Sequence, residues 1–343
     1  MGKVLLTGAG GFIGSHIAEL FAQQNIPLKC LVRASGDHTF LQSLGIETIT
    51  GDITDLSSLI SALSDVDFVI HAAGKASDWG RYKDFYEINV KGTLNLMEAC
   101  KSQNIHDVII TGSISSYGEE DCPIIKSETS PSDSHYPYFL DRIFPSAMNY
   151  YRDSKAIQTQ AACQFAAANQ INLTVIEPAW VYGEREFHTG FYEYLKAVQA
   201  GMRFSPGSKT NKFHVVYARD LALAYLAVYQ QKLIGVNRII IGNPEPEKLN
   251  DIYTLFCQAA NLIPPQLLPK WVTYPIGFVW ELAATVLSRQ QPPLLSRSRV
   301  NMMYDNIGFS VQKAKELMGF EAKTSLQEGI NRTVAWYRQN GYI

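Results

Sequence analysis

The chain has 343 residues, enough for one large α/β domain or for a domain with a substantial appendage. Its formal net charge is −2, which excludes a basic nucleic-acid surface and an acidic disordered tail. Five scattered cysteines (Cys30, Cys100, Cys122, Cys163 and Cys257) form no CxxC, which argues against a disulfide framework or metal site and fits the reducing cytoplasm. No apolar run before the first glycines is long enough for a secretory signal. Met1-Gly2 lacks the Ser or Thr that myristoylation wants at the sixth position, where Leu6 stands.

The first half alternates strand and helix patterns. Lys3–Thr7 reads as a short apolar strand, Ser15–Gln24 as a helix, and Leu28–Val32 and Glu47–Thr50 as strands, the latter ending in Gly51-Asp52. Leu56–Leu63 is helical, and Phe68–Ala73 is apolar enough for a strand buried on both faces. A helix over Tyr86–Ser102, a strand over Val108–Thr111, a long helix over Tyr150–Asn169 and a strand over Leu173–Ile176 follow. This alternation predicts an α/β fold: a doubly wound parallel (Rossmann) sheet with helices on both faces.

After about Val181 aromatics and longer loops appear, including Phe187–Tyr194 and Phe204–Phe213. A helix over Leu221–Tyr229 and a strand over Ile239–Ile241 continue the pattern. Ser310 is placed to cap a helix over Val311–Met318, with Gly319 as its C′ residue, and Ser325–Glu328 reads as a capping box. The domain expectation is therefore a dinucleotide-binding domain over residues 1–180 that includes the long helix. A smaller C-terminal α/β domain over 181–343 binds substrate, with some segments returning to the first sheet. Trp271–Leu287 is apolar but carries Pro275 and Glu281 and is short of a membrane span. It reads as a core or lid helix. The alternative is a hydrophobic wall for an apolar substrate with peripheral membrane contact.

Gly8, Gly11 and Gly14 are spaced GxxGxxG between the first strand and first helix. One permits a tight turn, one lets backbone approach a pyrophosphate, and one lets the helix pack close to the sheet. The helix beginning near Phe12 and Ile13 then aims free N–H groups at phosphates. The second strand runs into Arg33 with no acid to accept from a ribose 2′-hydroxyl, so NADP(H) is favoured over NAD(H). Asp52 either accepts from an adenine amino group or simply forms a turn. Tyr151 and Lys155 lie four apart and share a helix face. A free tyrosine ionises near about pH 10, and a neighbouring ammonium lowers that, making a usable acid/base. Ser113, just past a strand, is placed to hold a substrate oxygen.

These residues resemble an extended short-chain dehydrogenase/reductase over nearly the whole chain. The likeness rests on Thr7–Gly14, Gly51-Asp52, His71–Gly74, Asn89–Thr93, Thr111–Ser113, Tyr151–Lys155 and Pro178–Gly183. Ser77–Gly80 and Phe309–Lys315 lean toward the 3β-hydroxysteroid dehydrogenase and dihydroflavonol-reductase-like branch. The resemblance implies a tetrad: Tyr151 as acid/base, Lys155 tuning it and binding the ribose, Ser113 orienting the substrate oxygen, and Asn89 supporting a proton relay. It implies that Ile53, Ala72, Ala73 and Gly74 line the cofactor, and that Pro178 and Val181 meet its nicotinamide end. It also implies a homodimer through the helices at Tyr86–Ser102 and Tyr150–Asn169. Trp79, Ser115, Trp180, Tyr182 and Phe213 are candidates for the substrate side.

The reading is an enzyme that moves hydride between NAD(P) and an apolar ketone or secondary alcohol. The alternatives are a nucleotide-sugar epimerase or dehydratase that keeps its cofactor, and a non-catalytic cofactor sensor. The sugar enzymes usually carry an Arg seven residues before Asp220, where this chain has Phe213. Glu177 departs from the family's usual Arg, and at the end of a buried strand it needs a cation or a ligand. Ser134–Phe139 is an aromatic loop suited to walling the pocket or to ordinary packing.

Overall fold

The computed structural model describes residues 2–118, 121, 124–187 and 190–343; Met1, Cys122 and the middle of the Phe187–Tyr194 loop lie outside the described residues. Seven parallel strands form the central sheet: β1 (Lys3–Thr7), β2 (Leu28–Val32), β3 (Glu47–Thr50), β4 (Val66–His71), β5 (Asp107–Thr111), β6 (Asn172–Pro178) and β7 (Val236–Ile241). Their order is β7-β6-β5-β4-β1-β2-β3, the doubly wound arrangement. The order reverses between β1 and β4, and the crevice at the C-terminal ends of those two strands is where ligands of this fold bind. β7 comes from the second half of the chain and completes the sheet beside β6.

The strands alternate between two apolar clusters. Val4, Leu6, Cys30, Phe68, Ile70, Ile109 and Ile239 join one. Leu5, Leu31, Val69, Val108, Ile110, Leu173 and Val175 join the other. A period of two places neighbouring side chains on opposite faces, and helices cover both faces, so the buried stretches of these strands are mostly apolar on both sides.

Four helices position the site: α1 (Phe12–Gln23), α2 (Gly92–Ser102), α3 (Ala147–Ala168) and, in the C-terminal half, α4 (Lys270–Val286). A fifth, α5 (Arg297–Met302), packs on α4. The predicted helix over Tyr86–Ser102 is interrupted: Tyr86–Lys91 is a π turn preceded by the short helix Tyr82–Phe85. Near the C-terminus Val311, not Ser310, occupies the N-cap position, although the Ser310 hydroxyl still accepts from Gln312 N at 3.3 Å. Gly319 ends that helix at φ 62°. Ser325 caps the last helix by accepting from Glu328 N.

The segment Trp271–Leu287 is helical but turned opposite to a core helix. It buries Thr273, Gly277, Glu281 and Ala284. Its large apolar side chains face out, Trp271 at 78% and Val286 at 69% exposure. Polarity inside and hydrophobicity outside is a tertiary choice that mean hydropathy does not report.

Candidate active site

The glycine loop is built by close contacts. Gly8 has φ +75°, and a Cβ there would stand 2.5 Å from Ala73 N, so the turn out of β1 and the β4 end admit only glycine. A Cβ on Gly14 would stand 2.1 Å from Gly8 O, which makes it the residue of close helix–sheet approach. Gly11 is exposed at the N-cap of α1. That helix has no side-chain cap and no acid in its first turn, so the amides of Phe12, Ile13 and Gly14 remain available for phosphate oxygens. The residues present fit a dinucleotide.

Arg33 is exposed just beyond β2, in a turn that Gly36 N and His38 Nε2 close on its carbonyl. Asp52 forms a turn: its carboxylate accepts from Thr54 N and Thr54 Oγ1, both at 2.8 Å. Ile53 packs where a Cβ on Gly92 would touch it, and its carbonyl accepts from Asn95. Ala72 and Ala73 hang on Thr7, whose carbonyl and hydroxyl accept from their amides. Gly74 lies against the Asn89 amide oxygen. Pro178 ends β6, and Val181 is buried in the next strand, Trp180–Tyr182.

The four tetrad residues come together from three parts of the chain. Ser113 follows β5 as the cap of a tight turn, with Ser115 Oγ at 2.7 Å and Tyr151 Oη at 3.3 Å from its hydroxyl oxygen. Lys155 is buried one turn along α3 and donates to Thr111 O at 2.6 Å. Burial pushes its pKa down to about 7, while the charge of Glu177 works the other way. Asn89 sits in the π turn, a helix defect that frequently marks functional sites. Its amide donates to Lys75 O and to Ser154 Oγ at 2.9 Å, and its oxygen accepts from Lys75 N at 2.7 Å. Ser154 in turn donates to Tyr151 O, so Asn89 ties the loop after β4 to α3.

A buried polar chain beneath this cluster has no counterpart in the sequence pattern. His71 lies between Thr7 Oγ1 at 2.7 Å and Thr93 Oγ1 at 3.0 Å. Thr93 donates to Asn89 O and accepts from Gln158, so the His71 proton belongs on Nε2, and Nδ1 accepts from Thr7. Burial lowers the His71 pKa to about 3, keeping the ring neutral and the chain fixed. Each member is an ordinary residue of its element, and only the Oγ and ring-nitrogen placements reveal it.

Glu177 is fully buried, and its partners are local rather than a ligand. Arg238, from β7, donates Nη2 at 2.8 Å and Nε at 3.2 Å, and Tyr117 donates its hydroxyl at 2.5 Å. The guanidinium lies 4.6 Å above the Tyr117 ring. Burial raises the Glu177 pKa, and Arg238 and Tyr117 oppose that rise.

The aromatic candidates divide. Trp79 is half-buried and donates its indole N–H to Arg289 O, reaching across to the C-terminal half. Trp180 is half-buried over Phe213, with ring centroids 5.3 Å apart. Phe213 and Tyr182 are buried in the core, and Ser115 is buried against the Ser113 hydroxyl. In the Ser134–Phe139 loop, His135 bridges Asp141 and Asp153 and Tyr138 is buried, while Phe139 lies on Phe278 of α4. Of these six residues only Tyr138 is buried, while His135, Pro137 and Phe139 are exposed.

Comparison with known proteins places the fold and the family. A model of the NAD dependent epimerase/dehydratase family matches residues 4–242, more than two thirds of the chain. A 2-alkyl-3-oxoalkanoate reductase from Shewanella oneidensis is 26% identical over 345 residues, covering 96% of this chain and 85% of that protein. The decarboxylating sterol-4-alpha-carboxylate 3-dehydrogenase of Mus musculus is 25% identical, covering 97% of this chain and 90% of that one. The UDP-glucose 4-epimerase of Thermus thermophilus, solved with NAD, shares the fold with a TM-score of 0.73 at 22% identity, covering 98% of this chain and 99% of that chain.

Proposed function

Because the chain belongs to the NAD dependent epimerase/dehydratase family, we propose that it is an NAD(P)-dependent oxidoreductase interconverting an apolar ketone and its secondary alcohol. The observation that carries this reading is the Tyr151 hydroxyl resting on Ser113, one helical turn from a buried Lys155. The cofactor supplies or accepts hydride. Gly8, Gly11, Phe12, Ile13 and Gly14 hold its pyrophosphate, Ile53 and Ala72 to Gly74 line its path, and Pro178 and Val181 bound its nicotinamide end.

In reduction, Ser113 donates to the substrate carbonyl oxygen, and Ser115 holds the Ser113 hydroxyl in place. Tyr151 then delivers a proton to the developing alkoxide, whose negative charge passes to the phenolate. The Lys155 ammonium stabilises that phenolate. Asn89 fixes α3 against the loop after β4, which keeps Tyr151 and Lys155 in register with Ser113. The reverse sequence oxidises the alcohol.

The finer features follow from the same site. Arg33, with no acid at the end of β2, favours NADP(H). The names of the two relatives both set the reacting carbon beside one that bears a carboxylate, which supports reading the substrate as an apolar 3-oxo or 3-hydroxy acid. Lys75 offers a cation for that carboxylate. Its backbone is clamped by Asn89, and its ammonium lies 5.2 Å above the Phe85 ring, which neighbours Tyr151 at 6.5 Å. The protein is read as a cytoplasmic homodimer, with Ile157 exposed on α3 at the contact.

The epimerase or dehydratase reading is the alternative, favoured by the Thermus thermophilus neighbour's fold. It is disfavoured by the buried Phe213 where sugar enzymes present Arg. Absorbance of NADPH decides between them. Ketone-dependent loss of the signal, reduced by about 10²- to 10⁴-fold in Tyr151→Phe with NADPH binding retained, is the expected result. Conversion of a nucleotide sugar without net cofactor consumption overturns it.

A further inference from the structure

An amphipathic helix normally buries its apolar stripe. α4 does the reverse. Its inward face is Thr273, Gly277, Glu281 and Ala284. Gly277 sits so close to α5 that a Cβ would stand 3.0 Å from Val300 and 3.1 Å from Ser296 O. Glu281 makes a buried ion pair with Arg297 at 2.9 Å. The helix is thus held by a polar and small-residue seam, and its apolar side chains are left over.

Those side chains form one continuous outer surface. Trp271, Ile276, Val279, Trp280, Val286 and Leu287 are all exposed, Val279 at 57% and Leu287 at 65%. Glu281 is the single charged residue between Trp271 and Leu287, and it is buried. The neighbouring loop extends the patch with Phe139, Leu140 and Ile143, and the Phe139 ring meets Phe278 at 5.3 Å. An exposed apolar patch of this continuity marks an interaction surface.

The rim supplies the identity of the partner. Lys270 opens the helix, Arg289 follows its end, and Arg142 lies between Leu140 and Ile143; the two arginines are exposed, and Lys270 is partly exposed beside Asp305. The exposed face itself carries no acid. No described helix is long and apolar enough to cross a bilayer. Apolar bodies with interfacial tryptophans and flanking cations fit a helix lying in the headgroup layer.

We propose that the outer face of α4, with the Phe139–Ile143 loop, docks on an anionic lipid surface. The patch is tied to its surroundings at both ends: Arg297 donates to Phe139 O at 2.5 Å, and Trp79, a candidate for the substrate side, donates to Arg289 O at 2.8 Å. Docking therefore brings the end of α4 that Trp79 contacts to the lipid. That an apolar substrate enters from the bilayer rests on the function proposed above; the docking itself does not.

The test is flotation of the full chain with vesicles of phosphatidylcholine alone, and with roughly a third phosphatidylserine. The protein is expected to float with the anionic vesicles and to be released by salt. Trp271→Glu/Val279→Glu/Trp280→Glu should reduce the bound fraction at least about tenfold while NADPH binding and turnover of a water-soluble ketone persist. Arg142→Ser/Arg289→Ser should lose about fivefold per cation on anionic vesicles only. Absence of wild-type flotation, or equal flotation of the triple variant, overturns the proposal. So does a triple variant whose oligomeric mass drops, which would make a second copy of the chain the occupant. Flotation without ketone turnover would instead sink the functional reading alone.

Discussion

The sheet half and the α4 region bury opposite kinds of residue. In the sheet, Leu5, Val69, Ile109 and Val175 are fully buried, and most buried positions are apolar. At α4 the buried groups are Thr273, Gly277, Glu281 and Arg297, and the apolar groups lie outside. The first pattern stabilises through transfer of apolar area from water. The second relies on one ion pair and close packing, which orient the helix without using its hydrophobic face. A fold that leaves that face unburied keeps it free for recognition.

Removing the seam tests this contrast most severely. Arg297→Met leaves Glu281 buried without its cation and frees Phe139 O and Phe144 O. A loss of about 3–5 kcal/mol is expected in denaturant unfolding, with NADPH affinity unchanged if the damage is confined to the C-terminal half. An unaltered midpoint would mean that something other than the ion pair holds α4.

In the cofactor half, Arg33→Ser should weaken NADPH by about 10- to 150-fold, matching the roughly 1.5–3 kcal/mol of a hydrogen bond to a charged group, and leave NADH unchanged. Fluorescence titration with both cofactors checks it; equal weakening of both would remove the 2′-phosphate reading.

The smallest effect sharpens the comparison at the buried charge of the sheet. Glu177 favours the charged form of Lys155. Glu177→Gln keeps hydrogen-bonding capacity but removes that charge, so less ammonium remains at neutral pH. The limb of the kcat/KM profile that reports Lys155, near about 7 in the parent, should move to more acid pH. A limb that stays in place assigns it to another group.

Much of the site is readable because its signals are local. Gly8, Gly11 and Gly14 stand within one short loop, and Tyr151 and Lys155 share a helix face by spacing alone. Ser113 follows from its place at a strand end. The π turn at Asn89 is not readable, because it is a shift in backbone hydrogen bonding with no residue signature. The partner of Glu177 is also hidden, since Arg238 lies 61 residues away in β7. That Ser115 and Phe213 are buried is not readable either.

The alternation of strand and helix, the glycine loop and the shared face of Tyr151 and Lys155 are all legible in the residues alone. Each depends on period, spacing and short-range chemistry. Only the tertiary structure decided which face of α4 turns inward, which cation meets Glu177, and how His71, Thr93 and Asn89 join. Those outcomes depend on packing and on pairing buried groups between separate elements, which the period of any one helix or strand does not report.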